Sequence, residues 1–362
     1  MMMMEKAMGE NVELQQLVDE EIEEEIVQFQ LQPHHYIKED RGYKLRCFKC
    51  PYLGLILAIL SSLFFSLCSV IVKWMRDVDP IALAAYRYIG VLLPAIPIVI
   101  YKQEPLFPQG KRIMLLLRSI TGTTALMLSF YAFRHMPLAD ASVIVFSVPV
   151  FTAIFARMFL KEPCGWFNVI TVLMTLIGVV LVTRPPVLFS NTIASLGEQD
   201  HGETEIWSAV AAFTSTLFGA NAYVLLRALK GIHFSVIMTN FGSYALVQCL
   251  VVAAMIGALC LPQCGHDRLL VVALAFFSFL GQILLTVALQ VEQAGPVAIA
   301  RSSDIVFAFC WQVAFFKEAP NVYSVAGAVL VMSSVLVIGI RKWILALPES
   351  SAARKKFAVL MK

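Results

Sequence analysis

The sequence predicts an all-α polytopic membrane protein of ten transmembrane helices, arranged as two inverted five-helix repeats. Three observations predict it. Hydrophobic residues make up 59% of the 362 and charged residues 15%, against roughly 45–50% and about 25% in an average soluble domain. Ten stretches stay apolar over the roughly 20 residues that a helix needs to cross the hydrocarbon core. The chain also aligns with itself in order, five stretches against five, so the second set enters the membrane from the opposite side.

Residues 1–50 form an acidic tail with six Lys/Arg against eleven Asp/Glu, a balance of −5 that leaves +8 for the rest of a chain of net charge +3. The run Asp19-Glu20-Glu21-Ile22-Glu23-Glu24-Glu25 reads as a solvated, mostly disordered cytosolic segment. A contact with a cytosolic protein is the partner it would offer. The acidic start predicts no secretory signal, and the first apolar run, from Pro51 to Trp74, is too long for a signal peptide's core. It reads as an anchor that stays in the protein.

The spans are expected at about 52–74, 80–101, 113–133, 138–160 and 166–184 in a first repeat of residues 51–184. Those of a second repeat, residues 206–343, fall at about 206–229, 235–260, 269–290, 295–316 and 321–343. Turns such as Asp79-Pro80, Lys161-Glu162-Pro163 and Ala319-Pro320 are too short to hold a soluble domain. With the N-terminus inside, the inner flanks collect Arg41, Lys44, Lys102, Lys111, Arg112, Lys161, Arg227, Lys230 and Arg341, and a basic tail over 344–362 adds Arg354, Lys355 and Lys356. The connection 185–205 has no Lys or Arg but holds Glu198, Asp200, Glu203 and Glu205. Basic loops stay cytosolic, so both tails face the cytosol and this connection faces the lumen or exterior. The membranes considered are those of the endoplasmic reticulum, the Golgi and the cell surface.

Among the eight cysteines, Cys68, Cys249 and Cys310 lie inside apolar runs and are expected to pack as buried thiols. Cys47 and Cys50 make a single CxxC beside the membrane, a palmitoylation site or an inert pair. Cys260 and Cys264 flank a short loop and could form a local disulfide. Neither a metal site nor a cofactor is expected. Nucleic acid is not an expected partner, because topology already accounts for the positive charge.

The self-alignment is carried by specific positions. Ala132 to Glu162 match Ala288 to Glu318 at a constant shift of 156, pairing Phe151 with Phe307 and Lys161-Glu162 with Lys317-Glu318. The first spans of each half align at a shift of 153, Ser62 with Ser215 and Phe65 with Phe218. Inverted repeats give one structure two related conformations, each open to one side, around a site near the midplane. Packing alone is the plainer use of such a duplication.

Ionisable groups inside a span are functional candidates by default. Arg87 lies about seven residues into the second span, roughly 10 Å deep at 1.5 Å per residue. Arg301 is at a similar depth in the ninth, and Asp304 one turn further. Guanidinium forks match carboxylate or phosphate oxygens, so Arg87 and Arg301 would bind an anion. Asp304 would then be a proton site or counter-ion. The competing reading pairs Arg301 with Asp304 at i,i+3 for internal neutralisation. Gln282, Asn221, Asn240 and Gln312 would line the cavity or bond helix to helix. Tyr86 would stack on a ligand ring or anchor at the interface. Arg118 and Arg157 are expected to snorkel to the inner surface.

An enzyme reading has one foothold, His135 and Asp140 at an H-x4-D spacing, as in a membrane acyltransferase. It lacks a glycine-rich acceptor block. Neither a Walker loop nor HExxH nor GxSxG occurs. A third reading is a non-transporting membrane regulator that uses the acidic tail.

A family likeness resides in Ala139-Asp140-Ala141-Ser142-Val143-Ile144 followed by Ser147 to Ala156, with Lys161-Glu162 at the following turn. The second half offers Gly281-Gln282, Ala288-Leu289-Gln290, Glu292 and Ala294-Gly295-Pro296-Val297-Ala298. From about 52 to 343 the chain resembles the drug/metabolite transporter superfamily, with its EamA-type repeats. Arg87, Arg184-Pro185-Pro186 and Gln293-Ala294-Gly295-Pro296 make it most similar to the G branch of solute carrier family 35. The resemblance implies ten spans, cytosolic tails, and a central cavity formed by spans one to four and six to nine. It also implies a secondary transporter of a small polar or anionic metabolite (an organic anion, carboxylate or nucleotide-sugar-like solute), working by alternating access. A homodimer is the further assembly considered.

Overall fold

In hydrocarbon an unpaired backbone N–H or C=O has no water to bond, so an apolar chain satisfies its own backbone within each segment by forming a helix. The computed structural model describes residues 52–75, 78–135, 138–162, 165–183, 202–257, 265–316 and 322–346, and within them the regular structure is helical. The helices are α1 (Leu53–Trp74), α2 (Pro80–Lys102), α3 (Arg112–His135), α4 (Leu138–Val145), α5 (Val148–Phe159) and α6 (Trp166–Thr183). They continue with α7 (Gly202–Ala228), α8 (Phe234–Met255), α9 (His266–Val291), α10 (Ala294–Arg301), α11 (Ser303–Phe316) and α12 (Val322–Ala346). Seven segments are long and apolar enough to cross a membrane, and Val143–Phe159, Trp166–Val182 and Val325–Arg341 are shorter apolar helices. The tail 1–50, most of the connection 185–205, Cys47, Cys50, Cys260 and Cys264, and the basic tail beyond Ala346 lie outside the described residues.

Local chemistry sets the helix ends. Asp79 caps α2, its carboxylate accepting from the Ile81 N–H at 2.8 Å with Pro80 in the first turn, where the missing N–H costs nothing. After α5, Lys161 takes a left-handed conformation (φ 53°), and the Glu162 N–H turns back to donate to the Ala156 carbonyl at 3.2 Å. That turn aims Glu162 at the bundle.

The expectation of unbroken helices over 138–160 and 295–316 is corrected. The first is interrupted between α4 and α5, and the second between α10 and α11. At the first break the Ser147 N–H and hydroxyl both donate to the Ile144 carbonyl, at 3.1 and 2.6 Å. Pro149, which has no N–H to give back four residues, follows directly. At the second, the Ser302 N–H donates to Ile299 and the Ile305 N–H to Ser302, each three residues back. Ser147 and Ser303 are repeat partners at the shift of 156, so the same break occurs twice. Each is stitched by a hydroxyl from the other half: Thr216 of α7 donates to the Ile144 carbonyl at 2.9 Å, and Ser62 of α1 to the Arg301 carbonyl at 3.2 Å.

The packing follows the same exchange. α3 packs on α7 and α9 on α1; α2 packs on α8 and α6 on α12; α5 meets α7 as α11 meets α1. Small residues bring these helices close. Ser61 donates to the Gly281 carbonyl at 2.8 Å, and Thr175 and Ser334 share a 2.8 Å hydroxyl bond between α6 and α12. Leu93, Ile100, Val247, Met255, Val272 and Val329 point outward, each more than 60% exposed. A surface this apolar suits acyl chains and not water. Cys68 and Cys249 are buried as expected, whereas Cys310 is exposed; its neighbour Trp311 is the one that meets α1, donating to the Ser66 hydroxyl at 2.9 Å.

Candidate functional site

Phe65 sits midway along α1, and its buried ring is the centre of the interior charge cluster. The guanidinium carbons of Arg87 (α2) and Arg301 (end of α10) each lie 4.7 Å from its centroid, within cation–π range. The two are therefore no more than twice that distance apart, although their backbones enter from opposite ends of the bundle. Gly281 of α9 makes room for the ring, since a Cβ there would stand 3.1 Å from two of its carbons.

Arg301 Nη2 meets Asp304 Oδ2 at 3.6 Å across the helix break, and its Nε donates to the Tyr223 hydroxyl of α7 at 3.4 Å. The pair is not self-sufficient. Arg301 Nη1 and Asp304 Oδ1 are buried without a hydrogen-bond partner among the described residues. A buried polar atom left unsatisfied costs roughly 1–3 kcal/mol, so this is an arrangement in want of further partners.

The structure thus brings Arg87, Arg301 and Asp304 together. Gln282 is buried on α9 beside Gly281; Asn221 and Tyr86 are half-buried, on α7 and α2. Asn240 serves the fold instead, donating to the Leu106 carbonyl in the α2–α3 connection at 2.8 Å. His135 is exposed, stacked on Tyr131 and bonded to that residue's carbonyl. The side chains of Asp140 and Gln312 lie outside what the structure describes.

The snorkelling expected of Arg118 is overturned. It is 5% exposed, and its guanidinium carbon lies 4.3 Å from the Phe241 centroid of α8. Sequence reasoning missed it because its depth along α3 also suits a surface arginine. The available signal was Gly122, one turn on, where a Cβ would collide with Arg118 Nη1. Arg157 is exposed, as expected.

One end of the bundle is clasped. Glu162 Oε1 accepts from Arg227 Nε at 3.2 Å and Oε2 from the Ala294 N–H at 3.1 Å, while Arg227 Nη1 donates to the Leu289 and Gln290 carbonyls at 3.1 Å. The end of α5, the end of α7, the C-terminus of α9 and the N-terminus of α10 are thereby tied by two side chains. Burial pushes the Glu162 carboxyl above its ordinary pKa, against the pull of Arg227 and of the Ala294 N–H. A wider groove of about 350 Å³, lined by Leu128, Tyr131, Trp207 and Val210, lies between α3 and α7. Its exposed apolar walls fit a lipid-facing surface, and the charged centre lies elsewhere.

Comparison with known proteins now bears on this geometry. The model of the EamA-like transporter family matches twice, over residues 52–184 and 204–340. The human protein named solute carrier family 35 member G1 is 40% identical over 296 residues, covering 81% of this chain and 80% of its own. A Pseudomonas aeruginosa protein named pseudopaline exporter CntI is 29% identical over 79% of this chain and 95% of its own. A solved crystal structure superposes with a TM-score of 0.68 at 16% identity, covering 81% of this chain and 99% of that one, a likeness of fold.

Proposed function

The chain belongs to the EamA-like transporter family, and from that premise we propose that it is a secondary transporter of a small anionic metabolite, working by alternating access. The observation that carries the anion is the convergence of Arg87 and Arg301 on Phe65 at mid-depth, with buried guanidinium hydrogen-bonding capacity left over. In a low-dielectric interior such fixed charges favour a carboxylate or phosphate strongly.

Alternating access is supported by the doubled architecture. Two halves that each match the family model, each with a broken helix stitched by a hydroxyl of the other, would offer two equivalent ways to pack around one site when inverted across ten crossings. The Glu162–Arg227 clasp closes one end and would part when that end opens. With both tails cytosolic, the clasp faces the cytosol. Purified protein in liposomes should take up labelled organic anions without ATP; failure to move any of a panel of carboxylates and phosphate esters would overturn the proposal.

A further inference from the structure

We propose that Arg118 is a third solute-binding arginine, which takes a second anionic group on the same solute. The inference rests on the anion-carrier reading above and adds a residue and a charge requirement to it.

Arg118 lies six residues into α3, about 9 Å from its start at 1.5 Å per residue. That start shares an end of the bundle with the clasp, since Asn240 near the head of α8 bonds Leu106 and Gln290 Nε2 donates to the Ile232 carbonyl just before α8. An arginine at this depth gains most by folding its stem back along the helix to the surface, here toward Lys111. This one does the reverse. Its guanidinium lies forward over Gly122 and against Phe241, deeper in the bundle.

There it is 5% exposed, with Nε and Nη1 both buried and without a hydrogen-bond partner among the described residues. A ring face does not replace the hydrogen bonds of water around a charge. Two donors kept dry in this way point to an occupant that accepts from them. Tyr223 gives the direction. Its hydroxyl accepts from Arg301 Nε, and its helix, α7, packs along α3, the helix that carries Arg118.

Charge completes the case. Among the described residues neither Arg87 nor Arg118 has a carboxylate within ion-pair distance, and Asp304 is shared only with Arg301. Three guanidiniums against one carboxylate leave an excess that two negative charges on a solute would neutralise.

Succinate and its half-amide succinamate differ by one charge at nearly constant shape, and calorimetry on the purified full-length protein can compare them. Wild-type protein should bind succinate about tenfold or more tightly than succinamate, and Arg118→Gln should collapse that preference to under about threefold by weakening succinate. Arg301→Gln should weaken both probes. If binding depends on Arg301 while the preference survives Arg118→Gln, this proposal alone falls. If wild-type protein binds neither probe, this proposal falls, and uptake of the wider panel of carboxylates and phosphate esters decides the anion-carrier reading. Melting curves and size-exclusion profiles check that the variant folds, and Arg118→Met, which keeps the apolar stem, supports the same comparison. Loss of folded protein in both variants would assign the guanidinium to packing and overturn the proposal.

Discussion

Arg301 and Asp304 stand on either side of the helix break at Ser302, and their charged ends meet at 3.6 Å. Each keeps one buried atom without a hydrogen-bond partner among the described residues. A pair present only for mutual neutralisation would close on itself in a bidentate fork. This one meets through a single Nη2–Oδ2 contact, while Arg301 Nε donates to Tyr223 instead.

That geometry separates binding from neutralisation. A hydrogen bond to a charged group contributes roughly 1.5–3 kcal/mol, and about 1.4 kcal/mol is tenfold in affinity. Arg301→Gln should weaken anion binding by about one to two orders of magnitude while the protein still reaches its membrane. The double variant Arg301→Gln with Asp304→Asn should fold and remain inactive. Full transport by the double variant would show that the arginine only balances the aspartate.

Phe65 orients two guanidiniums at once. Each cation–π contact contributes about 0.5–2 kcal/mol, so Phe65→Leu should weaken anion binding roughly tenfold with little change in expression. Gly281→Ala tests the same ring from behind. Its methyl would stand 3.1 Å from the ring, and overpacking of that kind costs about 1–3 kcal/mol, which a lowered melting temperature would report. An unchanged anion affinity in Phe65→Leu would remove the ring from the site.

The clasp predicts a pH dependence of definite sign. Burial raises the Glu162 carboxyl above its ordinary pKa. The clasped form therefore holds its proton more tightly than an open form in which that carboxyl meets water. Acidification favours the clasped form, and the advantage is lost as pH rises through the raised value. Hydrogen exchange at the Ala294 amide, corrected for its intrinsic rate, should slow as pH falls through the acidic range. Glu162→Gln should abolish that dependence, and an identical profile in the variant would exclude Glu162 as its source.

The direction of the bundle can be read from one position. A cysteine at Ser195, within the connection that has no Lys or Arg, should react with an impermeant reagent only from the lumenal or exterior side. Labelling from the cytosol would reverse the topology.

Composition and spacing carried much of this architecture. Apolar runs such as Leu53–Trp74 and Phe234–Met255 can satisfy their backbone in hydrocarbon only as helices, and Lys161-Glu162 against Lys317-Glu318 exposed the internal repeat without any coordinates. The depth of Arg87 and Arg301 in their spans likewise marked them as candidates. Along a sequence, however, an arginine has a depth but no azimuth. Arg118 and Arg157 looked alike there, and packing buried one against Phe241 while leaving the other exposed.

The sequence by itself determined that this chain lives in a membrane, that it repeats, and which charges lie deep, because hydropathy and spacing are properties of one strand of residues. Only the tertiary structure decided that Arg87 and Arg301 both meet the ring of Phe65, that both broken helices are held by hydroxyls of the opposite half, and that Arg118 turns inward. Those relations join helices far apart in the chain, and they depend on rotations and small-residue contacts that no single helix encodes alone.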